Sequence, residues 1–369
     1  MKRNAAFPDR LVREVARECT RAQDPLDLLE HVAALVRAVV PYTSAGWILV
    51  DPDTMLMNGV YGEGVDRETH LALIEAEMSD EQDFARFAVL GAARVPAVAL
   101  SALTAGELAR SYRWRTIYGP RGYGDELRAA FTSGAATWGH ACLTRRADAP
   151  AYTAAEVGLL ARICPHVADG IRTGLAVCGP NPAAAGEEPA LVVLRDDGSV
   201  ESMTPSVPDW FGDPADESLR TTIVLHQVAG RARALADDAT PGDLPPARAW
   251  SRTATGDSVI VRGARLAGDG PGRTVLVLDP ATRSDLAPLL MELHSLTHRE
   301  REVTQQLLTG RSTRDIAAAL WITPETLRGH VKNVLTKLEV SSRAELFALL
   351  SREPRSRLRP AAPASRHSR

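Results

Sequence analysis

Residues 296–350 read LTHREREVTQQLLTGRSTRDIAAALWITPETLRGHVKNVLTKLEVSSRAELFALL, and four helix starts fall in order along them. Thr297-His298-Arg299-Glu300 has the form of a capping box: the Thr hydroxyl takes an orphan backbone N–H and Glu300 reaches back to the Thr amide. Gly310 predicts a left-handed stop to that helix. Ser312-Thr313-Arg314-Asp315 starts a second, short helix with Ile316, Ala317 and Leu320 apolar. Leu320-Trp321-Ile322 reads as the turn, with Trp321 expected as a core anchor. Thr323-Pro324 supplies a cap and a proline at the first helical position of a third helix. Ser342-Arg343-Ala344-Glu345 starts a fourth.

The third helix has two faces. Leu327, Val331, Val334 and Leu338 follow the spacing of a buried stripe, and Arg328, Gly329, Lys332 and Asn333 fall off it. A short helix, a tight turn and a longer helix with a cationic outer face is a helix-turn-helix arrangement. The second helix of such a pair enters the major groove of duplex DNA with its N-terminal half against base edges. Charge agrees with this reading. Residues 297–369 hold 14 Lys+Arg and 7 Asp+Glu, a net of +7. The whole chain is −3, so residues 1–296 carry −10. The basic end suits a phosphate backbone.

The stretch resembles the LuxR-type helix-turn-helix of bacterial transcription regulators. The resemblance covers about 55 residues. It rests on LT-x-REREV, Gly310, the IA and L of DIAAAL, the IT-P-x-T turn, His330, Lys337-Leu338, and SR-x-EL from Ser342 to Leu346. Glu339 stands where the family has Gly. The resemblance implies base contacts from Arg328, Gly329 and Lys332, phosphate contacts from Thr323, Thr326 and Lys337, and a fourth helix used for dimerisation. Asn333 joins these as a polar residue of the same outer face.

The 369-residue length allows two to three domains. No apolar run of about 18 residues is present, so no membrane span is expected. The N-terminus lacks an apolar core, so no signal peptide is expected. Cys19, Cys142, Cys164 and Cys178 make no C-x-x-C pair, which fits a cytoplasmic protein without structural zinc. Cys142, Cys164 and His166 form no metal-ligand spacing, and small buried hydrophobes are the expected role of the two cysteines.

Residues 1–178 read as an α+β unit: helices at 10–21 and from Asp24 to Pro41, strands at 45–50 and 55–61, more helix over 66–90, a hairpin through Thr132-Ser133-Gly134, and a long helix opened by Thr153-Ala154-Ala155-Glu156. Pro165 predicts a kink or break in that helix. Residues 122–172 resemble the C-terminal half of a GAF domain, through the hairpin, Trp138-Gly139 and the capped helix. Trp114, Tyr118 and Asp125 faintly echo an acyl-homoserine-lactone pocket without its carboxylate spacing, so the aromatics are expected in the core or lining an unidentified pocket.

Residues 179–189 (GPNPAAAGEEP) are a linker. Residues 190–281 give two strands, a helical middle and three more strands, an order that resembles a PAS domain. Residues 282–295 form a connecting helix with Leu286, Leu289, Leu290 and Leu293 on one stripe: either a core helix or a lever or dimer seam. The head then spans 296–352, and 353–369 reads as a disordered basic tail.

The expectation is therefore α+β sensor domains followed by an all-α four-helix helix-turn-helix domain. The function expected is sequence-specific transcription regulation: a homodimer on the major groove of double-stranded DNA, under an unknown small-molecule or protein effector, with RNA polymerase a candidate partner. No cofactor, metal or membrane partner is expected. The competing reading is a ligand- or partner-binding signalling protein with weak DNA binding. An enzyme is not expected, because no nucleophile elbow, metal-ligand cluster or phosphate loop is present.

Overall fold

The computed structural model describes residues 6–78, 83–178, 190–213, 222–237, 244–253, 256–268 and 272–351. The expected linker at 179–189 and tail at 353–369 lie outside these residues. The chain divides into two compact units: residues 1–281 with 288–295, and residues 282–287 with 296–369.

The first unit opens with α1 (Ala6–Glu18) and α2 (Pro25–Arg37). Asp24 caps α2 by accepting the Leu26 N–H, and Pro25 needs no partner for a missing donor. Strands β1 (Ser44–Val50) and β2 (Met57–Glu63) follow, then α3 (Arg67–Met78), α4 (Phe87–Gly91), β3 (Ala97–Ala99) and α5 (Leu100–Leu103). A π-helical turn at Trp114–Tyr118 leads into the hairpin β4 (Tyr123–Ser133) and β5 (Ala136–Arg146), and α6 (Ala154–Cys178) closes the set. The sheet is antiparallel in the order β2-β1-β5-β4-β3. Both faces are covered. Strand alternation sends Trp47 to one face, where it stacks on Phe131, and Ile48 to the other, where it packs with Met57, Ile74 and Phe87.

Of the kink or break expected at Pro165, the break does not occur: α6 runs through it for 25 residues. Pro165 is exposed, so its ring faces water. One turn apart on the buried side, Gly170 and Gly174 let α6 approach the chain around α2 closely. A Cβ at Gly170 would lie 2.8 Å from Cys19 Cβ, and one at Gly174 2.5 Å from the Gln23 carbonyl oxygen.

The second sheet comprises β6 (Ala190–Arg195), β7 (Val200–Met203), β8 (Arg248–Arg252), β9 (Ser258–Leu266) and β10 (Arg273–Pro280), with α7 (Val207–Phe211) and α8 (Ile223–Asp237) between β7 and β8. Its order, β7-β6-β10-β9-β8, repeats the connectivity of the first sheet strand for strand. Here the alternation is one-sided: Ala190, Val192 and Leu194 are buried while Leu191 is exposed. Val192, Leu194, Leu276 and Leu278 form a core with Trp210, Phe211 and Val228.

The two sheets meet at their edges. Asn58 of β2 donates to the Trp250 carbonyl of β8 at 3.0 Å, Ser251 Oγ donates back to the Asn58 carbonyl at 3.0 Å, and the Trp250 N–H donates to Asp51 at 2.8 Å. Side chains thus satisfy the strand edges that would otherwise stay open. Burial pushes the Asp51 carboxyl up to about 6, against the pull of the Trp250 and Asp53 amides. The cores also exchange residues: Leu56 sits in the core of the second sheet and Ile223 in that of the first.

Helix α9 (Arg283–Leu293) is divided between the two units, residues up to Ala287 falling in the second and those from Pro288 in the first. The second unit then contains α10 (His298–Leu308), α11 (Thr313–Ala319), α12 (Pro324–Lys337) and α13 (Arg343–Leu350). The α+β then all-α order expected from the sequence is the order observed.

Candidate nucleic-acid interface

Each helix of the second unit begins where a side chain takes its orphan amides. Thr297 and Glu300 close the capping box on α10, Ser312 accepts from the Asp315 N–H on α11, Thr323 from the Thr326 N–H on α12, and Ser342 from the Glu345 N–H on α13. Three left-handed residues, Gly310, Trp321 and Glu339, stop the helices. Two of these stops are Schellman turns. The Trp321 N–H donates to the Ala318 carbonyl and Ile322 N–H to Ala317; the Glu339 N–H donates to Thr336 and Val340 N–H to Leu335. Val303, Ile316, Ala317, Leu327 and Val331 form the core that fixes α12 on α10 and α11.

That packing leaves the outer arc of α12 uncovered. Thr323, Thr326, Arg328, Gly329, Lys332 and Asn333 are all exposed. The Arg328 guanidinium rests 2.6 Å from Glu325 in an open, solvated pair, which a stronger anion can displace at little cost. Apart from its chain neighbours and its own helix backbone, no atom lies within 4 Å of a Cβ built on Gly329, so the helix surface is open there.

Lys337 is differently placed. Near 100° per residue it falls beside the buried stripe, and its ammonium lies 2.7 Å from the Glu300 carboxylate, which is itself buried. Burial would raise the Glu300 carboxyl, but Lys337 and the Thr297 amide and hydroxyl hold it below the usual range. Lys337 thus braces α12 to the cap of α10.

Trp321 corrects the sequence reading. It is 94% exposed and packs in no core. The Schellman geometry explains this, because the residue after the helix C-cap turns its side chain outward. An L-residue held there costs about 1–2 kcal/mol, which glycine avoids. Leu320 and Ile322, on either side, do the packing instead.

A second concave site lies in the first sheet unit. A cavity of about 50 Å³ has an apolar wall of Ile48, Met57, Val60 and Ile74 and a polar end at Tyr118, Arg128 and Cys142. Behind that end Glu126 is clamped between Arg113 at 2.6 Å and Arg128 at 2.9 Å. Burial alone would raise its carboxyl, yet the two guanidiniums hold it at about 2. Tyr118 Oη and Cys142 Sγ both bond to Glu126, and burial pushes the Cys142 thiol up to about 12. His70 borders the cavity with its buried Nε2 unbonded, and Gly62 leaves room for the ring. Asp125 is not part of the cavity; it accepts from Ser101 and from the Tyr152 N–H. Trp114 is tied by its indole N–H to the Gly124 carbonyl. Sequence reasoning picked out Tyr118 and Cys142 but missed Arg113, Glu126 and Arg128; the signal for the last two was charge inside a buried strand, and Arg113 lies outside the strands, just before the π-helical turn.

Residues 294–350 match the family of bacterial regulatory proteins described as the luxR family. Over 57 residues the chain is 40% identical to the spore germination protein GerE of Bacillus subtilis, covering 77% of that relative and 15% of this chain. The chain belongs to the luxR family of bacterial regulatory proteins. It is also 47% identical over 58 residues to the transcriptional regulatory protein YhcZ of Bacillus subtilis, covering 27% of it and 15% of this chain. A nitrate/nitrite response regulator homologue of Haemophilus influenzae is 44% identical over 63 residues, with 30% of it and 17% of this chain covered. The match to these last two spans less than a third of their length. Among solved structures, the GAF domain of an Acinetobacter phosphoenolpyruvate-protein phosphotransferase overlaps 47% of the chain and 98% of itself, at 16% identity and a TM-score of 0.34. Escherichia coli SdiA overlaps 92% of the chain and 95% of itself, at 10% identity and a TM-score of 0.34. Strand order and helix placement, not these overlaps, define the folds of this luxR-family chain. No helix among its described residues is long and apolar enough to cross a membrane.

Proposed function

We propose that this chain is a sequence-specific DNA-binding transcription regulator, with α12 reading the major groove. One observation carries the reading: in a luxR-family head with every cap intact, the arc of α12 left uncovered by packing is polar and cationic, and Leu327, Val331 and Val334 of the apolar arc are buried. Arg328, Gly329, Lys332 and Asn333 are the residues assigned to base edges, and Thr323 and Thr326 to phosphates at the helix N-terminus. Lys337 serves phosphate only by leaving Glu300, so its first role is bracing.

The segments upstream are read as regulatory. Residues 1–178 are assigned as a GAF-like sensor and 190–281 as a PAS-like module, with 282–295 as the connection to the head at 296–352. The cavity beside Tyr118 and His70 is the candidate effector site. The half-exposed Phe347 of α13 supports a homodimer, and a two-fold DNA site with half-sites about one helical turn apart follows from it. RNA polymerase is a further candidate partner.

Selection of bound duplexes from a random pool by the full chain, at stated salt, tests the reading. An enriched two-fold motif is expected. Arg328→Ala should then relax preference at one position by about 1–3 kcal/mol. Absence of any enrichment, or uniform loss across sequences in Arg328→Ala, would overturn it in favour of a signalling protein that meets DNA only weakly.

A further inference from the structure

We propose that Trp321 is a contact to the DNA duplex: its indole lies against the sugar–phosphate backbone flanking the groove that receives α12, with Nε1–H donating to a phosphate oxygen. This rests on the regulator reading above.

Four observations on the second unit lead here. The chain has six tryptophans, and Trp47, Trp138, Trp210 and Trp250 are buried while Trp114 is half-buried. Trp321 alone among them is bare, at 94% exposure. Second, its backbone is left-handed at φ 55, a position where glycine or asparagine is easier and where an indole contributes nothing to the helix stop. Folding therefore supplies no reason for a tryptophan, and a large bare apolar ring needs a partner.

Third, the place selects the partner. Trp321 is two residues before Thr323, the cap of α12, so their Cα atoms are within about 7.6 Å. An indole extends roughly as far again. Any duplex that takes the N-terminal half of α12 in its groove brings a flanking backbone strand inside that reach. The indole suits such a strand, since its face packs on deoxyribose and its N–H is a donor without acceptor character. Fourth, the platform is stiff. Arg299 donates to the Leu320 carbonyl, and Leu320 and Ile322 pack on the core, so little order has to be imposed on binding.

The test uses the full chain and the duplex it enriches in the selection. Trp321→Asn keeps a residue that tolerates the left-handed turn and removes the ring. We expect about tenfold weaker binding. The slope of log affinity against log salt should stay the same, because a neutral donor displaces no counterion. Acrylamide quenching of the wild type, corrected with Trp321→Phe, isolates the Trp321 emission, and the duplex should shield it. Binding of Trp321→Asn within twofold of the wild type overturns the proposal. So does an unshielded Trp321 in the saturated complex, which would point to a protein partner. A wild-type chain that binds no duplex at all instead removes the regulator reading itself.

Discussion

Glu339 is the residue of the head whose replacement has the clearest expected outcome. It follows Leu338, the C-cap of α12, and holds φ at 56 in a complete Schellman turn. Two costs meet there. A side chain in the left-handed region costs about 1–2 kcal/mol, of which glycine returns about 0.5–1 through the freedom it adds to the unfolded chain. A carboxylate at a helix C-terminus opposes the macrodipole by about 0.3–1 kcal/mol, at the low end for an exposed group. Glu339→Gly should therefore stabilise the second unit by about 1 kcal/mol. Glu339→Gln keeps the strain and drops the charge, so it should gain only about 0.3 kcal/mol. Native-state hydrogen exchange of α12 amides in the full chain reads the unit by itself, free of the other unit's unfolding. The Gly variant should exchange about fivefold more slowly than wild type at neutral pH. Equal exchange in Gly and wild type would refute the strain argument. Equal gains in Gly and Gln would assign the effect to charge alone.

Three further outcomes follow from buried charge. Lys337→Ala leaves Glu300 without its cation and should loosen α10 and α12 by about 1–3 kcal/mol in the same exchange experiment; no change would mean the pair is idle. Because the Glu300 carboxyl is held low, its contribution is present above the ordinary glutamate range and is lost as pH falls through the lowered value. Asp51 has the opposite sign. Its folded value of about 6 exceeds the ordinary 3.8, so the unfolded chain ionises first and stability falls as pH rises from about 4 to about 6. That difference corresponds to about 3 kcal/mol at most, and Asp51→Asn should flatten the decline seen in urea titrations across this window. Glu126→Gln takes one carboxylate from Arg113 and from Arg128, which keep Asp83 and Glu77. A loss of about 1–3 kcal/mol is expected, read as an earlier urea midpoint by circular dichroism, whereas an unchanged midpoint would deny the clamp its role.

How much of this was legible differs sharply between the two units. In the head, caps at Thr297, Ser312, Thr323 and Ser342 and the stop at Gly310 all stand where the sequence puts them. In the first unit most elements were legible, with small shifts at their ends. The first helix begins at Ala6 rather than Arg10, and β2 begins at Met57 because Met55 turns left-handed at φ 61. Of the kink or break expected at Pro165, the break is absent, and the proline faces water. Trp321 was misplaced because apolarity predicts burial, while a helix stop decides direction.

What the sequence by itself determined is local: a cap, a stop or a stripe involves residues within about four positions, and their types alone select the geometry. What only the tertiary structure decided lies between residues far apart in the chain. Asn58 meets Trp250 across 192 positions, Leu56 and Ile223 exchange cores, and Arg113 and Arg128 close on Glu126. Even the commitment of Lys337 to Glu300 spans 37 positions and two helices. The physical reason is that sheet edges and helix faces are set by which surfaces pack, and a partner for a buried charge is chosen only once that packing has brought it within a few ångströms.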